Sequence, residues 1–185
     1  MDTFTKTKEF VINSRYIQDR KNTIAGLDLS SIDEPIMDIV SAFAELPYCF
    51  PLQSCFGHFI CDPEQDIHTL DPIFTDYQGS VRYRIAYIAV CIENSRYGRI
   101  FRESLTKIPT LDPAYIHFGS AGWFWERFVN SYVLQIEPVA HIGEDETILE
   151  PTEARQVQMV RDLFFEELRN LVCMNMTNRL TLRIS

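Results

Sequence analysis

No apolar run in this chain approaches the roughly 18 residues that a membrane-spanning helix needs. Residues Met1 to Lys8 are polar and lack the apolar core of a secretory signal, so the sequence predicts a cytoplasmic protein with no membrane partner. Gly/Ser linkers, low-complexity tracts and internal repeats are missing too. The 185 residues are therefore read as one domain, 1–185, of a size that buries roughly 70% of its unfolded surface. Basic residues are in the minority, 17 against 26 acidic, for a net charge of −9. That balance opposes strong non-specific binding of nucleic acid, which needs a cationic surface. Arg82, Arg84, Arg96, Arg99 and Arg102 are the best candidates for a local basic patch.

Paired metal-ligand motifs are scarce as well. The five cysteines, Cys49, Cys55, Cys61, Cys91 and Cys173, are odd in number and sit in apolar context. They read as buried small hydrophobes rather than a disulfide framework. Cys55-x-x-His58 invites a zinc reading, but zinc would need further ligands from Cys61, His68, His117 or His141. None of these supplies a Cys-x-x-Cys or His-x-x-x-His spacing, so no metal site is predicted. A Walker loop and a dinucleotide fingerprint are also missing.

What is present is a run of periodic segments. Phe10, Ile17 and Ile24 suggest a helix from Phe4 to about Lys21. Ser31-Ile32-Asp33-Glu34 is a capping box with Pro35 in the first turn, and Ile32, Ile36, Ile39, Val40 and Phe43 share one helical face. Pro47 ends that helix, and Tyr48 to Ser54 reads as a strand that delivers Cys55 to a sheet edge. Val81 to Ile92, rich in β-branched and aromatic residues, reads as one long strand. Asn94 or Ser95 caps a helix through Ile108; strands follow at Tyr115–Phe118 and Ser131–Glu137. Thr152 to Cys173 is a long amphipathic helix, and Leu180, Leu182 and Ile184 alternate as a closing strand. The expected class is α+β, a two-layer sandwich on a mostly antiparallel sheet. Its core order is ferredoxin-like βαββαβ, preceded by helices and the Cys55 strand.

The densest chemistry lies in Ser54-Cys55-Phe56-Gly57-His58. Gly57 permits a positive φ or a close backbone approach, and Ser54 with nearby backbone N–H groups can donate to a ligand. Cys55 is a nucleophile if His58 lowers its pKa or takes its proton. The plainer alternative makes Cys55 a buried small residue, Gly57 a turn and His58 part of a polar rim. With the helix and strand before it, this stretch resembles the segment of the tRNA wybutosine-synthesizing protein 3 family whose hallmark runs Ser-Ser-Cys-Ser-Gly-Arg. Ser54, Cys55 and Gly57 match; Gln53 replaces the first Ser, Phe56 the Ser after the Cys, and His58 the Arg. The resemblance covers Ile32 to Phe59. It implies S-adenosylmethionine-dependent methylation in the maturation of a hypermodified tRNA guanosine, and a nucleoside or adenosyl pocket beside Cys55.

A second stretch, Tyr115 to Trp125, ends a strand and turns through Gly119, Ser120 and Gly122 into an aromatic cluster. Its small residues can expose backbone amides, and both tryptophans, Trp123 and Trp125, can stack on a planar ring. His117, Gln135 and Glu137 fall on neighbouring predicted strands, where they would line a pocket holding an acid/base pair. The expected site thus has Cys55, His58 and Glu137 as catalytic groups. Ser54, Gly57, His117, Ser120, Trp125 and Gln135 are its ligand-binding groups. Three functions compete: a group-transfer enzyme acting on a nucleoside-like molecule, a non-catalytic metabolite-binding module, and an interaction protein. Phe164 and Phe165 point to different sides of the last helix, which predicts a homodimer covering one of them.

Overall fold

The structure, a computed structural model, describes residues 5–182, with side chains through residue 176. Among the described residues, seven strands form two antiparallel sheets. The four-stranded sheet holds β1 (Cys49–Cys55), β4 (Ala86–Ile92), β6 (Ser131–Ile136) and β5 (Ile116–Ser120), in the order β1-β4-β6-β5. The three-stranded sheet holds β2 (His58–Ile60), β3 (Val81–Arg84) and β7 (Glu146–Leu149), in the order β2-β3-β7. Five helices accompany them: α1 (Tyr16–Ala25), α2 (Met37–Glu45), α3 (Arg96–Leu105), the single turn α4 (Gly122–Trp125) and α5 (Pro151–Leu182). The α+β class follows directly.

Strand alternation gives the four-stranded sheet two unlike faces. Ile88, Val90 and Ile92 of β4 lie beside Tyr132, Leu134 and Ile136 of β6. This face packs against Ile39, Val40 and Phe43 of α2, Phe101 and Leu105 of α3, and Val157, Phe164 and Leu168 of α5, forming the main core. The opposite face carries Tyr87, Ala89 and Cys91 beside Gln135, Val133 and Ser131. Tyr16 of α1 covers Phe50 and Cys91 at one end, and Trp123 and Phe124 of α4 lie over Ala89 and Val133 in the middle. Toward Tyr87 and Gln135 that face is left to polar groups.

The segment read as one long strand is two. At Ile85 the chain leaves the ladder and its N–H bonds to the carbonyl of Asp145. The buried hydroxyl of Tyr83 then bridges the sheets, donating to Ile136 O (2.9 Å) and accepting from Ala86 N (2.9 Å). Val81–Arg84 therefore enters one sheet and Ala86–Ile92 the other.

β4 and β5 run parallel with β6 antiparallel between them, the split βαβ pattern. The expected closing strand is not formed: α5 continues through Leu180 and Leu182, and Ile184 lies outside the described residues. The sheet edge beside β4 is occupied instead by β1, from the N-terminal side.

The first helix also begins later than its periodicity suggests. Residues 6–13 are not helical, because their backbone is held by other parts of the chain. Lys8 N donates to Ser120 Oγ, and Val11 exchanges two hydrogen bonds with the Asn130 amide. Phe164 and Phe165 are both buried within the chain, Phe165 against Phe56 with ring centroids 5.3 Å apart. The reason for expecting a homodimer is thereby removed. Four of the five clustered arginines are engaged: Arg82 and Arg84 pair with Glu146, Arg99 donates to Asn94 Oδ1, and Arg102 lies over the Tyr132 ring. Among the described residues, no helix is long and apolar enough to cross a membrane.

Candidate functional site

The two sheets diverge where β1 passes into β2 and β3 into β4, and a cavity of about 540 Å³ opens at that seam. Strand ends converge on it: Cys55 closes β1, His58 opens β2, Arg84 closes β3 and Glu146 opens β7. Tyr87 and Gln135, opposite each other on β4 and β6, form its inner wall. Trp123, Gln53, Ser54, Asp33, His68 and Asp145 complete much of the lining.

Local irregularities place these groups. Pro51 pairs with Val90 and Gln53 with Ala89, so Leu52 is an extra residue in the β1 ladder. Without this bulge Cys55 would face Ala86; with it Cys55 stands opposite Tyr87, on the cavity face. Gly57 then turns the chain at φ +89°, and a Cβ there would lie 2.7 Å from Ala86 Cβ. From α5, the buried Arg161 holds the turn: Nη1 donates to Gly57 O (3.0 Å) and the guanidinium stacks on Phe56 at 3.9 Å.

Asp33, within the expected capping box, turns away from the helix. Its side chain makes no capping bond to the helical turn that follows, and Oδ2 accepts the N–H of Phe56 at 2.7 Å. Ser31 likewise donates to Asp28 O rather than capping α2. The carboxylate is thus drawn to the Cys55–His58 turn, where Oδ2 lies 3.6 Å from His58 Nε2. His58 is 2% exposed, and its Nδ1–H donates to Thr69 O at 2.9 Å. A carbonyl can only accept, so the neutral ring keeps its proton on Nδ1 and turns the Nε2 lone pair toward Asp33.

Burial pushes the Cys55 thiol up to about 11, and a hydrogen bond from Gly57 N–H only partly offsets this. The thiol is protonated at neutral pH. Asp33 and His58 do not form the line of base and orienting acid that activates a nucleophile, because both ring nitrogens of His58 are turned to oxygen atoms.

The remaining predicted residues divide. Ser54, Cys55, His58 and Gln135 line the cavity, whereas Gly57 shapes the turn behind it. Glu137 lies just beyond β6, wholly buried, and is not among the lining residues. It accepts from Gln135 Nε2 and from Gly143 N. Burial raises its carboxyl to about 7, against the lowering effect of those two donors. His117 pairs with Gln135 across the strands, but its Nε2 bonds to Glu137 O at 2.9 Å and it does not line the cavity. Ser120 is buried and anchors Lys8. Trp125 packs on Tyr132, whose ring belongs to the helix-covered face, so Trp123 supplies the cavity's indole in its place. Sequence reasoning missed Asp33, Gln53, Tyr87 and Asp145, and of the two tryptophans it chose Trp125 over Trp123. Of the missed residues, Asp33 lay within the capping box read at Ser31–Glu34, a motif that points to a helix start and not to a site.

Gln135 has a further property. It is wholly buried, its Nε2 is held by Glu137, and its Oε1 has no hydrogen-bond partner among the described residues. A buried amide oxygen left in that state costs about 1–3 kcal/mol unless a partner arrives. Its position on the cavity wall allows that partner to be a ligand.

No family model matches the chain, and no curated protein is similar to it. Among solved structures, the PH1069 protein from Pyrococcus horikoshii is similar at 10% identity and a TM-score of 0.47, over 85% of this chain and 94% of that one. A likeness at that level carries no argument about activity.

Proposed function

We propose that the seam cavity binds a small planar molecule rich in hydrogen-bond donors, nucleoside-like and without phosphate. The observation that carries this reading is the unpartnered Oε1 of Gln135, a buried acceptor beside the aromatic walls of Tyr87 and Trp123. An exocyclic amine or ring N–H would satisfy that oxygen, and the two side chains offer ring faces and edges for stacking. Asp33, Asp145 and Glu146 give the lining an excess of carboxylates over its one arginine, Arg84, which already pairs with Glu146 at 3.5 Å. Such a rim repels phosphate and suits a neutral or cationic ligand. S-adenosylmethionine, the donor implied by the likeness around Ser54-Cys55-Phe56-Gly57-His58, belongs to that chemical class. Transfer from it proceeds directly to the acceptor in this reading, since a thiol raised to about 11 does not serve as a carrier.

The experiment is a fluorescence titration of a Trp125→Phe variant, in which Trp123 is the remaining indole. Adenosine and S-adenosylmethionine should quench it, adenosine monophosphate should bind more weakly, and Gln135→Leu should weaken adenosine by about tenfold or more. Absence of any response up to about 1 mM nucleoside overturns the proposal.

A further inference from the structure

We propose that Asp33, Cys55 and His58 bind a divalent cation of the zinc type, with its open coordination position facing the cavity. A carboxylate oxygen, the thiol sulfur and an imidazole nitrogen from these three residues lie within 4.8 Å of one another. They come from the segment before α2, the end of β1 and the start of β2, which only the fold brings together. The spacing that failed to predict a metal site along the sequence therefore says nothing against one here.

The geometry within the cluster is that of ligands rather than of a hydrogen-bonded pair. His58 Nε2 and Asp33 Oδ2 are 3.6 Å apart, too far for a hydrogen bond. Bonds of about 2.1 Å meeting at a tetrahedral angle leave ligand atoms about 3.4 Å apart, close to the separation seen. Cys55 is half-buried, and its sulfur lies within 4.8 Å of the other two ligand atoms.

The outer groups are those a metal site requires. His58 Nδ1–H donates to Thr69 O, which fixes the tautomer that leaves Nε2 as a donor to the metal. Asp33 Oδ2 is oriented by Phe56 N–H, and Cys55 Sγ accepts from Gly57 N–H. Gln135 Oε1, buried and unpartnered on the same cavity wall, is an independent sign that something binds there. A metal-bound water or ligand N–H would supply its missing donor.

Sulfur, nitrogen and oxygen donors together suit zinc and its neighbours rather than magnesium or calcium, which take oxygen ligands. Three protein ligands beside a cavity leave a fourth position for water or substrate, the arrangement of catalytic rather than structural zinc. Binding displaces the Cys55 thiol proton to solvent. The site stands whether or not a nucleoside enters the cavity.

Cobalt(II), added to the reduced full-length chain, tests this directly because its absorption reports both geometry and sulfur ligation. One equivalent should produce intense tetrahedral d–d bands and a thiolate-to-cobalt charge-transfer band, both lost on adding zinc. Cys55→Ser should abolish the charge-transfer band, while a Cys61→Ser/Cys173→Ser double variant should retain it. Asp33→Asn should weaken cobalt binding by about tenfold or more. Circular dichroism and thermal melting establish that each variant is folded, and Asp33→Asn serves if Cys55→Ser is not. The proposal fails if the natural chain gives no thiolate band at about a tenfold excess of cobalt, or if the band survives Cys55→Ser. It fails equally if only the double variant loses the band, or if Asp33→Asn binds cobalt as tightly as the natural chain.

Discussion

The two faces of the four-stranded sheet are built from the same strands and do opposite work. On one, Ile88, Val90, Leu134 and Ile136 meet the apolar stripes of three helices, and the packing is sealed. On the other, one residue along each strand, Tyr87, Gln135, Gln53 and Cys55 border a cavity. Period-two alternation makes this division possible, and helix coverage makes it unequal. Stability should reside on the helix side and ligand recognition on the other, with little overlap.

Truncation on the two faces tests that separation most severely. Phe43 is fully buried between α2 and α3 and packs edge-on against Phe101 at 5.8 Å. Phe43→Ala should cost about 3–5 kcal/mol in urea unfolding, from lost transfer energy plus the cavity left behind. Gln53→Ala removes an exposed side chain whose amide accepts from Trp123 Nε1 at 3.1 Å. It should cost under about 1 kcal/mol while weakening any ligand that stacks on Trp123. Equal losses of stability from both substitutions would erase the distinction.

The turn between β1 and β2 belongs to both faces, and Gly57 is where they meet. Any other residue at φ +89° is strained, and here its Cβ would also collide with Ala86. Gly57→Ala should therefore destabilise by about 3 kcal/mol and move Cys55 and His58 together. A melt indistinguishable from that of the natural chain would mean that the turn adapts without strain.

The helix-covered face was far more legible in the sequence than the cavity face, for physical reasons. Ile36, Ile39, Val40 and Phe43, like Val157, Val160, Phe164 and Leu168, repeat at the helical period because they face one continuous core. The stretch from Ser54 to His58 was legible by composition. What surrounds it was not. Asp33 reads only as an inner residue of a capping box, because its partner, Phe56 N, is 23 residues away. The break at Ile85 depends on Asp145 O and Tyr83 Oη, which no local pattern reveals. Trp123 and Trp125 differ only in which way one short helical turn projects them. Leu180 and Leu182 alternate like a strand, yet α5 runs through them.

A smaller effect separates the faces by charge rather than by shape. Glu137 is the one carboxylate behind the cavity wall whose burial lifts its pKa, to about 7 from an ordinary value near 4.5. In the unfolded chain it ionises near 4.5, so between about pH 4.5 and 7 the folded state holds a proton that the unfolded state has lost. Its contribution to stability is consequently greatest below pH 4.5, declines as pH rises to 7, and is flat above. Full conversion of that pKa difference gives about 3 kcal/mol, and solvent screening brings the expected loss across the window to about 2 kcal/mol. Urea midpoints at pH 5 and pH 8 should differ more for the natural chain than for Glu137→Gln, which cannot ionise. Because Gln135 Nε2 donates to this carboxylate, ionisation also strengthens the hold on the amide. Should the two proteins show the same pH dependence, Glu137 is ionised throughout and the cavity face carries one more negative charge than burial allows.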